Sequence, residues 1–375
     1  MSSVWVGENE YYSYEDLDKT NANYRVVIGE RSNGKTYGFK QKALLNFLNF
    51  GKEFAYVRRH VEEIQPKRTN RYWDDIWEWA APLLREKYGY KFYTIVAKKN
   101  MFTLYGYEDD IKKKEEIGVL GHYFALNQGI YDKSTSYPNV NLICYEEFLT
   151  DQRELPDEFT LFLNLISTIK RKREDVTIYL LGNTVSRNSI ILESMNINVR
   201  DLIQGDIKVY TYYTEGGATN TVAIEYCRNY AQSDKSEAYF SFGHQQENMI
   251  TKGAWQTRAY PLFKLDDFYT KRPTFGIILQ TSKIKLYIYI VENKNNLTAY
   301  VSDKRLATRL DYYTLNNQPT NLHFNTFNIN SPIDGAMRLK RLMFGIYMND
   351  NVLYESNVIG SDFERIISIL INKSR

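Results

Sequence analysis

The sequence predicts an α/β fold of the P-loop type followed by a smaller α+β domain, on three observations. A β-branched run at 24–28 leads into Gly29, and four residues later come Gly34, Lys35 and Thr36, so 29–36 match G-x-x-x-x-G-K-[ST]. Runs that read as buried strands at 53–59, 140–145 and 176–181 alternate with segments of helical apolar spacing, which is α/β. From about residue 254 strands come first and helices afterwards, which is α+β.

The spacing of the first motif carries a chemistry. Backbone N–H groups of residues 30–36, from Glu30, Arg31, Ser32, Asn33 and Gly34 through Lys35 and Thr36, can wrap a polyphosphate where a helix begins, because orphan amides and the helix dipole favour an anion there. Lys35 reaches the terminal phosphates and the Thr36 hydroxyl holds Mg²⁺. An ordinary Gly-rich turn shares the glycines; the strand before and the helix after favour the nucleotide site.

Composition sets the limits around that site. At 375 residues two domains are expected, and 25% charged with 43% hydrophobic residues is the balance of a folded globular chain. The net charge of +3 is too small to mark a nucleic-acid binder, so any polyanion surface must come from local clusters. The many aromatics, 32 of them Tyr, read as amphipathic packing. Cys144 and Cys227 lack zinc or disulfide spacing and fit a reduced cytosol, and the four histidines are far apart. With a polar amino terminus and no apolar run near 18 residues, neither a signal peptide nor a membrane span is expected.

Along the chain, 1–22 reads as a partly ordered arm with Tyr11, Tyr12 and Tyr14 as anchors. The apolar segment 43–50 continues the helix opened by the loop and stops at Gly51, a left-handed cap. Residues 53–59, EFAYVRR, form a buried strand; Arg58 or Arg59 can face nucleotide, DNA or a neighbouring subunit, or be surface charge. Trp73, Trp77 and Trp79 mark a packed helical face, 91–97 and 102–107 a hairpin, and 117–126 a further strand.

The run 140–145 ends in Glu146 and Glu147. Acids at the carboxyl end of a buried strand supply what a P-loop enzyme needs: Glu146 as a ligand for Mg²⁺ and Glu147 as the base that polarises water. Residues 156–170 form a helix opened by Pro156 and running into Lys170, Arg171, Lys172 and Arg173. Cations there complement the helix dipole, or one of them is an arginine finger inserted across a subunit interface. The next strand, 176–181, ends near Asn183, whose amide is placed to sense a γ-phosphate.

In this order and at these spacings, the strand and loop, YVRRH, YPNVNLICYEEF, NLISTIKRKRE and LLGNTVS resemble the genome-packaging ATPases of small protein-primed tailed phages, compact relatives of the large terminase subunit. The similarity is strong over 24–200 and faint afterwards. It implies an additional-strand, terminase-like P-loop NTPase domain over 1–200, a small linker or lid domain over 201–253, and an RNase-H-like vestigial nuclease domain over 254–375. It also implies a homopentameric ring that hydrolyses ATP with Mg²⁺ and pushes double-stranded DNA through the portal of a prohead, with a prohead structural RNA as a further candidate partner. The location implied is the host cell cytoplasm, transiently on the prohead. By the same resemblance Gly29, Gly34, Lys35 and Thr36 are the phosphate loop, Glu146 and Glu147 the acidic motif, Arg171 the trans-acting finger with Arg173 left open, Asn183 the coupling residue and Lys133 a DNA contact. One departure is Glu146, where the family usually has Asp.

In the last third, 275–279, 283–291 and 297–301 read as strands and 337–348 and 363–371 as helices. A two-metal nuclease needs carboxylates converging on ions about 4 Å apart. The opening strand carries none, and Asp303, Asp334 and Asp350 are scattered, so this domain is expected to bind nucleic acid or the prohead and not to cut. Its basic clusters suit phosphate backbones or are solvated helix faces. The rival readings are a terminase with a live nuclease, a P-loop helicase, and a nucleic-acid adaptor whose nucleotide is only structural.

Overall fold

Two-residue alternation decides which layer each side of the main sheet faces. On β1 (Tyr24–Gly29), Val27 packs into one apolar layer while Val26 and Ile28 pack into the other. The computed structural model describes residues 12–128, 135–150, 154–186, 189–199, 202–213, 216–228, 260–280, 284–293, 296–307, 310, 312–314 and 341–372. These divide into two units, 1–256 and 257–375.

The sheet of the first unit comprises β1, β2 (Glu53–Arg58), β3 (Phe92–Lys98), β4 (Met101–Tyr107), β5 (Glu115–Ala125), β6 (Val140–Glu146), β7 (Thr177–Asn183), β8 (Ile207–Tyr213) and β9 (Thr219–Tyr226). Their order is β3-β4-β5-β2-β6-β7-β1-β9-β8. The stretch β5-β2-β6-β7-β1-β9 is parallel, with antiparallel strands added at both ends. Strand β7 lies between β1 and β6, so the strand bearing the acids is the second neighbour of the loop strand.

Helices α1 (Glu15–Lys19), α2 (Lys35–Phe50), α3 (Pro66–Thr69), α4 (Trp77–Tyr88), α5 (Glu158–Lys170) and α6 (Ile190–Ser194) belong to the same unit. Phe39, Leu44 and Leu48 of α2 and Leu84 of α4 bury one face of the sheet; Phe162, Leu165 and Ile169 of α5 and Ile191 of α6 bury the other. Gly51 ends α2 at φ 63°, its N–H bonded to Phe47 O at 2.9 Å, as a left-handed cap requires. Strands β3 and β4 turn through Lys99 and Asn100 at φ 52° and 59°, the handedness that matches a twisted hairpin. The amino-terminal arm is packed where it is described. Tyr12 and Tyr14 are buried, and the Tyr14 hydroxyl donates to Lys35 O at 2.7 Å.

Residues 201–253 do not form a separate linker or lid in their described part. β9 pairs in parallel with β1, and β8 pairs with β9, so both complete the main sheet. The reason is burial: Val222, Ala223 and Ile224 cover the flank of β1 that would otherwise be an unpaired edge.

In the second unit β10 (Phe275–Gln280), β11 (Lys285–Asn293) and β12 (Asn296–Ser302) form an antiparallel meander. β13 (Tyr312–Thr314) lies parallel beside β10 and β14 (Val352–Tyr354) parallel beside β12. The helix at 341–348 and the helix Asn357–Asn372 place Met343, Ile346, Phe363 and Ile367 on one face of this sheet; Phe263 and Phe268 pack on the other. Asp303 and Asp350 are exposed, and Asp334 lies outside the described residues. No helix among the described residues is long and apolar enough to cross a membrane.

Phe102 is the aromatic hub of the first unit, fully buried among Phe54, Tyr72, Trp73 and Tyr123. Phe102→Ala is expected to destabilise this unit by about 3–5 kcal/mol, from lost transfer energy plus a cavity. Urea unfolding followed by tryptophan fluorescence measures it.

Candidate active site

The carboxyl ends of β1, β7 and β6 converge on one edge of the main sheet, and the site is built there. Gly29 ends β1 beside Asn183 of β7. A Cβ at Gly29 would stand 2.9 Å from Cys227 Cβ and 2.8 Å from the Asn33 amide, so only glycine lets the loop turn this tightly. Ser32 at φ 60° and Gly34 at φ 92° curl the loop so that α2 starts at Lys35. The buried Lys35 ammonium donates to Glu30 O at 2.6 Å and Asn33 Oδ1 at 3.0 Å, bonds that phosphate oxygens can replace. The Thr36 hydroxyl, at the start of α2, is hydrogen-bonded to the Glu146 carboxylate although β7 runs between β1 and β6.

Glu146 is held on its other oxygen by the Tyr56 hydroxyl at 2.8 Å and by Arg58 at 3.3 Å. Burial, and then the Glu146 charge, push the Tyr56 phenol well above its ordinary pKa, so it stays a donor. Arg58 also binds the carboxylates of Glu147 and Glu63. Burial alone would lower the pKa of Arg58, but Tyr56, Glu146, Glu147 and Glu63 outweigh it and raise the value. The same contact holds Glu63 below the usual glutamate range, Arg58 overcoming the opposing effect of burial. Glu147 follows β6 at φ 55°, with its side chain 54% exposed toward a cleft also lined by Arg31, Glu63 and Asn183.

Oxygen donors on Thr36 and Glu146 beside a curled amide loop are a donor set suited to a hard divalent cation bound with a nucleotide triphosphate. The residues present therefore fit Mg²⁺ and a nucleotide. Glu in place of Asp at 146 fits as well, since its longer chain reaches Thr36 from the second strand away.

Of the residues singled out in the sequence, Gly29, Glu30, Arg31, Ser32, Asn33, Gly34, Lys35, Thr36, Glu146, Glu147 and Asn183 come together at this edge. Arg171 does not. It caps α5 at the opposite edge, where its guanidinium donates to Thr135 O at 3.0 Å, so its own phosphate loop is out of reach. Arg173 donates to the carbonyls of Tyr137, Pro138, Val140 and Ile169, which pins the entry to β6. Lys133 lies outside the described residues.

Sequence reading left Arg58 and Arg59 open between several roles and did not single out Tyr56, Glu63 or Glu158. The available signal was a pair of arginines ending an otherwise buried strand: side chains there need anionic partners.

A family model described as the podovirus DNA encapsidation protein (Gp16) matches residues 6–209, more than half of the chain. The chain belongs to this family. The DNA packaging proteins of Bacillus phage PZA and Bacillus phage phi29 are each 29% identical to it over 187 residues, 49% of this chain and 48% of theirs. The alignment thus spans about half the length of these curated relatives. A chain of the phi29 viral genome packaging motor assembly superposes with TM-score 0.54 at 20% identity, covering 97% of this chain and 99% of that one, a likeness of fold.

Arg58→Ala would leave three carboxylates around a buried gap, at a cost of about 3–5 kcal/mol. Because the folded-state pKa of Glu63 is depressed, its contribution to stability is present above the unfolded value and is lost as pH falls through the folded one. Between about pH 5 and 3 the parent protein should therefore lose this contribution. Arg58→Ala should lose less, or gain stability, over that window, which thermal melts across pH will show.

Proposed function

We propose that this encapsidation-family chain is an ATP-hydrolysing motor that drives double-stranded viral DNA into a preformed prohead. The observation that carries this reading is the meeting of Thr36 with Glu146 and, through Arg58, with Glu147 at one sheet edge. Lys35 and the loop amides would hold the β- and γ-phosphates, and Thr36 and Glu146 would hold Mg²⁺, which would supply neutralisation of the phosphate charge. Glu147, half-exposed in the cleft, takes the proton of the attacking water, and Asn183, one strand from the loop, reports the γ-phosphate to β7.

Charge developing on the γ-phosphate needs a further cation. Arg171, exposed at the far edge where its side chain donates to the Thr135 carbonyl, suits insertion into a neighbouring subunit's site; Arg173 is committed to four carbonyls. This favours Arg171 as a trans finger and hence a homomeric ring, pentameric as the family resemblance implies. It would dock on the portal in the host cell cytoplasm, with a prohead RNA as a candidate partner. The second unit acts as a binding domain without nuclease activity, because β10 carries no acid.

Glu147→Gln should keep nucleotide binding and lower kcat by roughly 10²- to 10⁴-fold in DNA-stimulated phosphate release. Unchanged turnover would exclude Glu147 as the base. Arg171→Ala should lose roughly a thousandfold or more. Mixing Arg171→Ala with Glu147→Gln subunits should restore hydrolysis at hybrid interfaces, where an intact site meets an intact finger. A finger acting within its own subunit predicts no recovery.

A further inference from the structure

Consecutive residues of a strand point to opposite faces, so the arginines at the end of β2 attend to different partners. Arg58 takes the carboxylates. Arg59 reaches the main chain of the same turn: Nη1 donates to Glu147 O at 3.2 Å and Nη2 to Phe148 O at 2.6 Å. Its remaining donors form a two-point pair with Glu158 in the first turn of α5, Nε to Oε2 at 2.7 Å and Nη2 to Oε1 at 2.9 Å. Glu158 is wholly buried and is itself held by the Tyr145 hydroxyl at 2.7 Å and the Leu155 N–H at 2.9 Å.

Such a pair is an uneconomical way to stabilise a core, since apolar residues of the same volume generally do as well. What they cannot do is donate to two carbonyls. Glu147 needs that help: its left-handed φ of 55° is unfavourable for a residue with a side chain, and the next residue's N–H, that of Phe148, reaches Leu181 O at a long 3.3 Å.

We propose that Arg59 and Glu158 are positioning residues for catalysis, fixing the 147–148 turn so that the Glu147 carboxylate faces the attacking water. The inference rests on the reading of Glu147 as the base. Glu158 is buried, and Arg59, although it lines the cleft beside Glu147, directs its hydrogen bonds to Glu147 O, Phe148 O and the Glu158 carboxylate; Arg59 sets the turn and Glu158 sets Arg59. A displacement of the base by about 1 Å lowers turnover by roughly a hundredfold while leaving phosphate binding to the loop intact.

The test compares Arg59→Lys, the double variant Arg59→Met with Glu158→Leu, and Glu147→Gln as reference, each as the full chain. Affinity is measured with a fluorescent ATP analogue and Mg²⁺, turnover by DNA-stimulated phosphate release, and folding by thermal melting. The double variant removes both charges, so no buried ion is left alone. Both Arg59 variants should bind the analogue within about twofold of the parent and lose roughly tenfold to a hundredfold in kcat, with KM little changed. Parent-like kcat in a folded Arg59 variant overturns the proposal, as does a parallel loss of analogue affinity and melting temperature in both, which marks a purely structural pair. If the double variant does not fold, Arg59→Lys decides by the same two readings. Parent-like turnover in Glu147→Gln would instead sink the assignment of the base, which separates that failure from this one.

Discussion

Three carboxylates around one guanidinium are the constraint on which the rest of the site depends. Glu146, Glu147 and Glu63 all bind Arg58, whose side chain is almost wholly buried. Like charges this close in a partly desolvated place repel strongly unless a cation stands between them. With the cation between them, one carboxylate is left facing Thr36 and another facing the cleft. The charge is thus arranged in advance by the fold itself.

The same strand end supplies a second cation to the opposite face of the turn. Arg58 orients side chains and Arg59 holds backbone carbonyls, so an acidic turn with a left-handed residue is gripped from both sides of the sheet. Each arginine is accompanied by a tyrosine hydroxyl on the same carboxylate, Tyr56 on Glu146 and Tyr145 on Glu158. Part of the heavy use of tyrosine is explained by this: an aromatic body fills the core while its tip satisfies a buried acid.

Sheet order does the remaining work. Inserting β7 between the loop strand and the acid strand sets Asn183 beside Gly29 and obliges the acid to reach across a strand, which a glutamate at 146 does. Helix α5 then runs from Glu158, behind the acidic turn, to Arg171 at the far edge of the sheet. One element thus touches the region of its own site at one end and presents a cation away from it at the other.

Much of this was legible in the linear chain. The phosphate loop, the twin glutamates, the hairpin over 92–107 and the cap at Gly51 all rest on residues within a few positions of one another, and short-range sterics and hydrogen bonding suffice to specify them. Other features depended on partners far along the chain. Residues 207–226 read as a separate segment because their alternation is that of any strand, and only the open flank of β1 decides that they join the main sheet. Nothing in the local sequence singles out Glu158 in its first helical turn, and only the approach of β2 and β6 makes it the counter-ion of Arg59. The sequence by itself determined the curl of the loop and the pair of acids at the end of β6, because those are properties of residue type and local spacing. The tertiary structure alone decided which arginine serves which acid and which faces outward, because a buried charge takes the partner that the packing of distant strands brings to it.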